Sequence, residues 1–140
     1  MRRAIALALE NVRSGRGGPF GAVIVKGGQI IAQGTNRVTF TNDPTAHAEV
    51  VAIREACRVL GDFQLAGCDL YTTCEPCPMC LGAAVMADVP HVVFALHDDL
   101  AGVPAMLEIP YVARHIVTYR GGVLADEAQA VAERYAAIRR

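Results

Sequence analysis

The feature that most restricts the fold is an alternation of helix-like and strand-like apolar segments along the chain. Apolar residues in segment 1–13 recur at i, i+3, i+4 and i+7, which predicts an amphipathic helix. Strand-like segments at 20–26 and 29–34 flank Gly27-Gly28, a pair typical of a two-residue hairpin. The remaining predictions, in chain order, are a polar loop at 35–45, a helix from about 44 to 60, a strand at 69–73, a helix at 77–88, a strand at 91–96, a short helix near residue 105 within 97–113, a strand at 113–119 and a helix at 126–140.

The order of these elements determines the expected architecture. Because strands alternate with helices after the hairpin, we predict an α/β fold: a three-layer α/β/α sandwich with a mixed central sheet. The 140 residues show no linker or repeat, which favours a single domain over 1–140. No apolar run approaches the ~20 residues of a membrane-spanning helix. The short apolar stretch after Arg2-Arg3 is interpreted as a helix start, so we expect a cytoplasmic protein without a membrane partner.

Cysteine usage points to chemistry rather than to cross-linking. Three of the five cysteines, Cys74, Cys77 and Cys80, lie close together in sequence. An odd number of cysteines without a secretion signal argues against a disulfide framework, so the cluster indicates metal or redox chemistry. Cys57 and Cys68 are expected to be core residues.

The spacing of Cys77 and Cys80 at a predicted helix start places both thiols on one side of that helix. With His47, at the start of the preceding predicted helix, they make a Cys₂His set of three ligands. Zinc prefers four, and an open fourth position that holds a water or hydroxide is typical of a catalytic site, so we expect one catalytic zinc per chain. Glu49 is the expected proton carrier, because a glutamate there can take a proton from water and pass it to a substrate.

Three other interpretations of these residues stay open. A C-x-x-C pair in a cytosolic protein is also found as a redox couple. Cys74 could supply a fourth ligand and close a purely structural zinc site. The chain could also be a zinc-binding module without catalysis, although the presence of Glu49 argues against that.

The segments His47-Ala48-Glu49 and Pro76-Cys77-Pro78-Met79-Cys80 spell H-x-E and P-C-x-x-C, the signature of zinc nucleobase deaminases. The chain resembles the cytidine deaminase-like superfamily in these residues. Within it, residues 1–96 are most similar to bacterial guanine deaminases, and the end of the chain, after Gly121-Gly122, is similar to tRNA adenosine deaminases. Segment 97–112 departs from both branches.

The resemblance implies zinc ligation by His47, Cys77 and Cys80, and proton transfer by Glu49. It also implies three substrate contacts, which are a hydrogen bond from Asn36, a ring contact from Phe20 and the backbone N–H of Ala48. In the departing segment, three acids are candidates to accept N–H groups of a base: Asp98, Asp99 and Glu108.

The expected reaction is zinc-dependent hydrolytic deamination of a free purine base or close analogue, with guanine, converted to xanthine and ammonia, as the leading candidate. A tRNA adenosine-to-inosine deaminase is the alternative, and cytosine or an s-triazine is a further one. A net charge of −1 and a single lysine, Lys26, argue against a nucleic-acid partner. The family leads us to expect a homodimer, for which the apolar third helix is a candidate interface.

Overall fold

A five-stranded mixed sheet of order β2-β1-β3-β4-β5 forms the centre of the molecule. The computed structural model describes residues 1–100 and 103–139. The strands are β1 (Gly21–Lys26), β2 (Gln29–Thr35), β3 (Cys68–Cys74), β4 (His91–Leu96) and β5 (Thr118–Arg120). The helices are α1 (Arg2–Ser14), α2 (Val38–Thr41), α3 (Ala48–Leu60), α4 (Pro78–Met86), α5 (Val103–Met106), α6 (Pro110–His115) and α7 (Ala125–Ile138).

Strand directions make the sheet mixed. β1 runs antiparallel to β2 and to β3, whereas β3, β4 and β5 are parallel to one another. Gly27 and Gly28, which join β1 to β2, have φ angles of 57° and 76°. Both positive values are what the favoured two-residue hairpin turn requires, so the predicted hairpin is confirmed.

Helices cover both faces of the sheet. α1 and α7 pack on one face, and α3 and α4 pack on the other, where α5 and α6 lie against α4. The predicted three-layer α/β/α sandwich with a mixed sheet is therefore confirmed. Gly34 of β2 lets α3 approach closely, because a Cβ there would lie 2.6 Å from the backbone nitrogen of Ala52. This close packing fixes the position of the start of α3 relative to the sheet.

Two predicted segments differ from the structure. Segment 35–45, predicted as a loop, contains the single turn α2, which ends where Asn42 adopts a left-handed φ of 52°. Segment 113–119 was predicted as a strand, but its first residues belong to α6 and the strand β5 begins only at Thr118. Pro110 favours a helix start there, and the chain joins the sheet only after the N–H of Val117 has donated to the carbonyl of Pro90 (2.8 Å).

The closing helix is α7, which has 14 residues. Arg140, which the prediction places in this helix, lies outside the described residues. Across residues 1–100 and 103–139, no helix is long and apolar enough to cross a membrane.

Candidate active site

Two helix N-termini converge on one point beside the carboxyl ends of β3 and β4. His47 immediately precedes α3, and Cys77 immediately precedes α4, with Cys80 within the first turn of that helix. The approach to His47 is fixed by a turn in which Asp43 accepts a hydrogen bond from the backbone N–H of Thr45 (2.9 Å). This turn therefore positions His47, whereas the start of α4 positions the two cysteines.

The three donor atoms have the spacing of a tetrahedral zinc site. Nδ1 of His47 lies 3.5 Å from Sγ of Cys77 and 3.4 Å from Sγ of Cys80, and all three ligand atoms lie within 4.8 Å of one another. Zinc with Zn–S of ~2.3 Å and Zn–N of ~2.0 Å at a tetrahedral angle places sulfur and nitrogen about 3.5 Å apart. The residues therefore fit zinc. Cys74 does not join this group among the described residues, so the set has three protein ligands rather than four.

Without a cation, the surroundings of the site disfavour ionised thiols. Burial raises the pKa of the Cys80 thiol, and the nearby charge of Glu49 raises it further. Burial also raises the pKa of the Cys74 thiol, to about 11. A cation reverses this tendency for the thiols that coordinate it, because its charge and the positive ends of two helices stabilise thiolates.

Glu49 lies in the first turn of α3 and is only 6% exposed. Its Oε1 accepts a hydrogen bond from the hydroxyl of Thr72 (2.8 Å), and its Oε2 accepts one from Sγ of Cys80 (3.4 Å). Although Glu49 is two residues from His47, both side chains reach the same site because the ligand group lies over the helix N-terminus. The carboxyl group is thus oriented beside the ligands.

A cavity of about 180 Å³ opens in front of these groups. That volume is below the ~300 Å³ at which pockets for drug-sized ligands begin, so it suits a small planar ring. Its lining residues are Phe20, Asn36, His47, Ala48, Glu49, Cys74, Glu75, Cys77 and Asp98.

The structure gathers most of the residues predicted for the site. Phe20, Asn36 and Ala48 line the cavity, and so does Asp98. The other two candidate acids do not line it. Asp99 is exposed just beyond Asp98, and Glu108 is exposed in the turn between α5 and α6.

Asn36 is held in place by its neighbours. Its Oδ1 accepts from the backbone N–H of Val38 (3.3 Å), which leaves its amide N–H groups available to a ligand. The buried side chain of Asn11 donates to the carbonyls of Gly18 (3.0 Å) and Asn36 (2.9 Å). Sequence reasoning missed Asn11, although a polar residue beside Val12 on the apolar stripe of α1 was the signal.

Glu75 was also missed. It lies within the cysteine motif, between Cys74 and Cys77, but no role was predicted for it. Its side chain lines the cavity and is buried, with Oε2 accepting from the backbone N–H of Asp98 (2.9 Å) and Oε1 accepting from the hydroxyl of Tyr119 (2.6 Å). Burial, together with this hydrogen bond to Glu75, raises the pKa of Tyr119.

Known proteins resemble the chain over different lengths. The guanine deaminase of Bacillus subtilis (strain 168) is 63% identical over 102 residues, which are 72% of this chain and 65% of that protein, so the chain spans less than two-thirds of this relative. A structure of a guanine deaminase from Nitrosomonas europaea is 33% identical with a TM-score of 0.82, and covers 97% of this chain and 82% of its own. A structure from studies of A-to-I editing by tRNA:A34 deaminases is 34% identical with a TM-score of 0.81, and covers 94% and 99% respectively.

The family comparison agrees with the geometry. Residues 1–96 match the family described as the cytidine and deoxycytidylate deaminase zinc-binding region. This match includes both helix N-termini and all three candidate ligands, whose spacing fits zinc. The chain therefore belongs to the cytidine and deoxycytidylate deaminase zinc-binding family.

Proposed function

We propose that the chain is a zinc-dependent hydrolase that deaminates a nucleobase-type ring, with guanine, converted to xanthine and ammonia, as the leading substrate. One observation carries the proposal: the buried carboxyl of Glu49 lies beside a three-ligand Cys₂His set and faces a cavity of about 180 Å³. The similarity to two guanine deaminases, over 72% and 97% of this chain, supports guanine as the base. We treat residues 1–140 as one catalytic domain.

In this proposal His47, Cys77 and Cys80 hold the zinc, which when bound supplies the Lewis acidity that lowers the pKa of water towards neutrality. Glu49 accepts a proton from that water and delivers it to a ring nitrogen while the water oxygen adds to the amino-bearing ring carbon. It then transfers a second proton, from the added hydroxyl, to the amine, so that the C–N bond breaks, ammonia leaves and the hydroxyl becomes a carbonyl. The hydroxyl of Thr72, which donates to Oε1 of Glu49, fixes the carboxyl while Oε2 moves the proton.

The substrate contacts follow from the cavity lining. The amide of Asn36 donates to an acceptor on the base, and the ring of Phe20, 38% exposed at the mouth, covers one of its faces. The backbone N–H of Ala48 contacts a carbonyl or ring atom. Asp98 is the acid that accepts an N–H of the base, whereas Asp99 and Glu108 have no contact with the cavity.

A second candidate function is deamination of adenosine in a tRNA anticodon loop. The likeness to the tRNA:A34 deaminase structure along most of both chains favours it. So does an exposed cluster next to Asn36, in which the guanidinium groups of Arg16 and Arg37 lie 5.8 and 5.3 Å from the centre of the Phe40 ring. Exposed aromatic and arginine side chains of this kind stack with single-stranded RNA bases.

A screen of ammonia release by the zinc-loaded protein tests the proposed function. It covers guanine, adenine, cytosine, their nucleosides, s-triazines and a tRNA stem-loop. We expect guanine to be turned over with the highest kcat/KM. Turnover of the stem-loop alone, with a rate that falls steeply with salt, would replace guanine deamination by tRNA editing. No release from any ring by protein with one zinc per chain would contradict the deaminase assignment.

We also propose a homodimer in a reducing cytoplasm. Reduced thiols at Cys77 and Cys80 are needed for zinc ligation, which supports that compartment. Met79 and Met86 leave α4 with exposed apolar side chains (38% and 72% exposed), which supports a dimer through this helix.

We expect Met86→Lys to convert the dimer to a monomer in sedimentation equilibrium and Val59→Lys, on α3, to leave it a dimer. A wild-type monomer would contradict the proposal.

A further inference from the structure

Glu75 is a buried acid for which the proposed reaction has no use. Its side chain is 4% exposed, and among the described residues its one ion-pair partner is His97, with Nδ1 3.7 Å from Oε2. Burying a carboxylate without an arginine or lysine is costly unless hydrogen bonds compensate. Both oxygens of Glu75 accept such bonds, from Asp98 and Tyr119. The hydrogen bonds of Glu75 with Asp98 and Tyr119 therefore call for an explanation of their own.

The contact with Asp98 extends the sheet beyond its last paired residues. The parallel pairing of β3 with β4 ends at Cys74 and Leu96. The backbone N–H of Glu75 then donates to the carbonyl of Leu96 (2.7 Å), and its side chain accepts the N–H of Asp98 (2.9 Å). Glu75 thus holds the chain in line with β4 for two residues after the strand has ended.

The residues on either side of Asp98 in this segment are largely exposed. The side chain of His97 is 63% exposed, and Leu100 is 96% exposed. The ring of His97 packs edge-on against Phe94, with centroids 5.1 Å apart, and Asp98, next in the chain, lines the cavity. Two hydrogen bonds restrain Asp98: its N–H donates to Glu75, which fixes the position of its Cα relative to the cavity, and its Oδ1 accepts from the backbone N–H of Leu100 (3.1 Å), which restrains the carboxylate.

Tyr119 fixes the orientation of Glu75. Its hydroxyl donates to Oε1 at 2.6 Å, and its ring packs on Phe94 with centroids 5.0 Å apart. Since one bond to each oxygen restrains the carboxylate plane, Oε2 points at Asp98. Tyr119 lies 44 residues from Glu75, so β5 takes part in shaping the cavity wall.

We propose that Glu75 is a positioning residue: with Tyr119 it holds Asp98 so that the Asp98 carboxylate accepts an N–H group of the substrate ring. The inference rests on the proposed function, and it assigns selectivity for rings with an N–H donor at this position. Glu75 itself does not touch the substrate in this proposal. Its effect on binding therefore passes entirely through Asp98.

A double-mutant cycle on ligand binding tests this. The zinc-loaded protein carries Glu49→Gln to prevent turnover, and its affinity for 8-azaguanine is measured by calorimetry. We expect Glu75→Ala and Asp98→Ala each to weaken binding by about 10- to 100-fold, the range for a hydrogen bond to a charged group. The double variant should bind no more weakly than Asp98→Ala alone, because both act on one contact. Additive losses, or unchanged affinity in Glu75→Ala, would overturn the proposal.

Conservative variants separate positioning from general stability. In Glu75→Gln the amide oxygen still accepts from Asp98, while the amide N–H₂ donates to the Tyr119 hydroxyl oxygen, so we expect affinity within about threefold of the parent, a difference of less than 1 kcal/mol. Adding Tyr119→Phe should remove this rescue. Glu75→Gln, alone and combined with Tyr119→Phe, also tests the proposal if Glu75→Ala fails to fold. If Glu75→Gln lowers the affinity equally whether residue 119 is tyrosine or phenylalanine, the proposed contact is contradicted. Glu108→Ala, an exposed acid away from the cavity, should change nothing.

Hydrogen exchange gives a readout that does not involve the ligand. The backbone amide of Asp98 should exchange faster in Glu75→Ala than in the parent, and exchange at the parent rate would overturn the positioning role. Failure of the proposed function has a different result. If zinc-loaded protein with Glu49 intact neither binds nor deaminates any ring of the screen, both proposals are contradicted. If the protein binds 8-azaguanine but the affinity losses of Glu75→Ala and Asp98→Ala are additive, only the proposal for Glu75 is contradicted.

Discussion

Replacing Glu49 by glutamine should lower kcat for ammonia release by about 10²- to 10⁴-fold, the range for loss of a general acid–base group. Glutamine has nearly the same shape and can still accept the hydrogen bond that Thr72 donates to Oε1 (2.8 Å). It cannot carry a proton between water and the ring. Because Glu49 is not one of the three grouped ligands, zinc content should remain at one per chain. Ammonia release and metal analysis of the same preparation measure both effects.

Glu55→Gln is the matched control, since Glu55 lies on the same helix, α3. It is paired with Arg58 at the surface and is not among the residues that line the cavity, so kcat of the variant should equal that of the parent. A Glu49→Gln protein that keeps both zinc and full activity would show that another group carries the proton. A variant that loses zinc would instead make Glu49 part of the metal site, and the kinetic loss would then have a different cause.

Periodicity and motif spacing were sufficient to predict the architecture and the chemical centre. The hairpin at Gly27-Gly28 and the alternation of strands with helices depend on local sequence, and the structure agrees with both. The expected ligands His47, Cys77 and Cys80 were likewise predicted from local spacing at two helix starts. The hairpin is predictable because it is fixed within one turn. The ligand group, in which His47 and Cys77 lie 30 residues apart, was predictable because H-x-E and P-C-x-x-C together are a known signature.

The walls of the cavity were much less predictable, because they are made by contacts between distant residues. Thr72 is 23 residues from Glu49, and Tyr119 is 44 residues from Glu75. No periodicity relates such pairs. Packing of α3 on the sheet brings Glu49 to Thr72, and the parallel order of β3, β4 and β5 brings Tyr119 to Glu75. The same reason explains the error at 113–119, where helix formation after Pro110 and pairing at Pro90 decide where the strand begins.

Cys77→Ser and Cys80→Ser should each abolish stoichiometric zinc binding and, with it, ammonia release. Removing a hydrogen-bond partner of a metal ligand already costs about 10- to 100-fold in metal affinity, so removing a ligand should cost at least about 100-fold. Cys57→Ser, a half-buried cysteine of α3 outside the ligand group, should keep one zinc per chain. Full zinc content and activity in both ligand variants would contradict the Cys₂His assignment.

Zinc affinity should also decrease as pH decreases, because the thiols must lose their protons to bind the metal. In the metal-free protein, burial raises the pKa of Cys80, so its thiol is protonated at neutral pH, whereas zinc binds the thiolate. Binding therefore releases protons, and affinity falls as pH falls. If both Cys77 and Cys80 ionise on binding, the apparent Kd should rise by about 100-fold for each unit of pH decrease. Calorimetry in two buffers of different ionisation enthalpy counts the protons directly. A pH-independent affinity, with no proton released, would show that the ligands are not these thiols, since a protonated thiol must lose its proton to bind zinc.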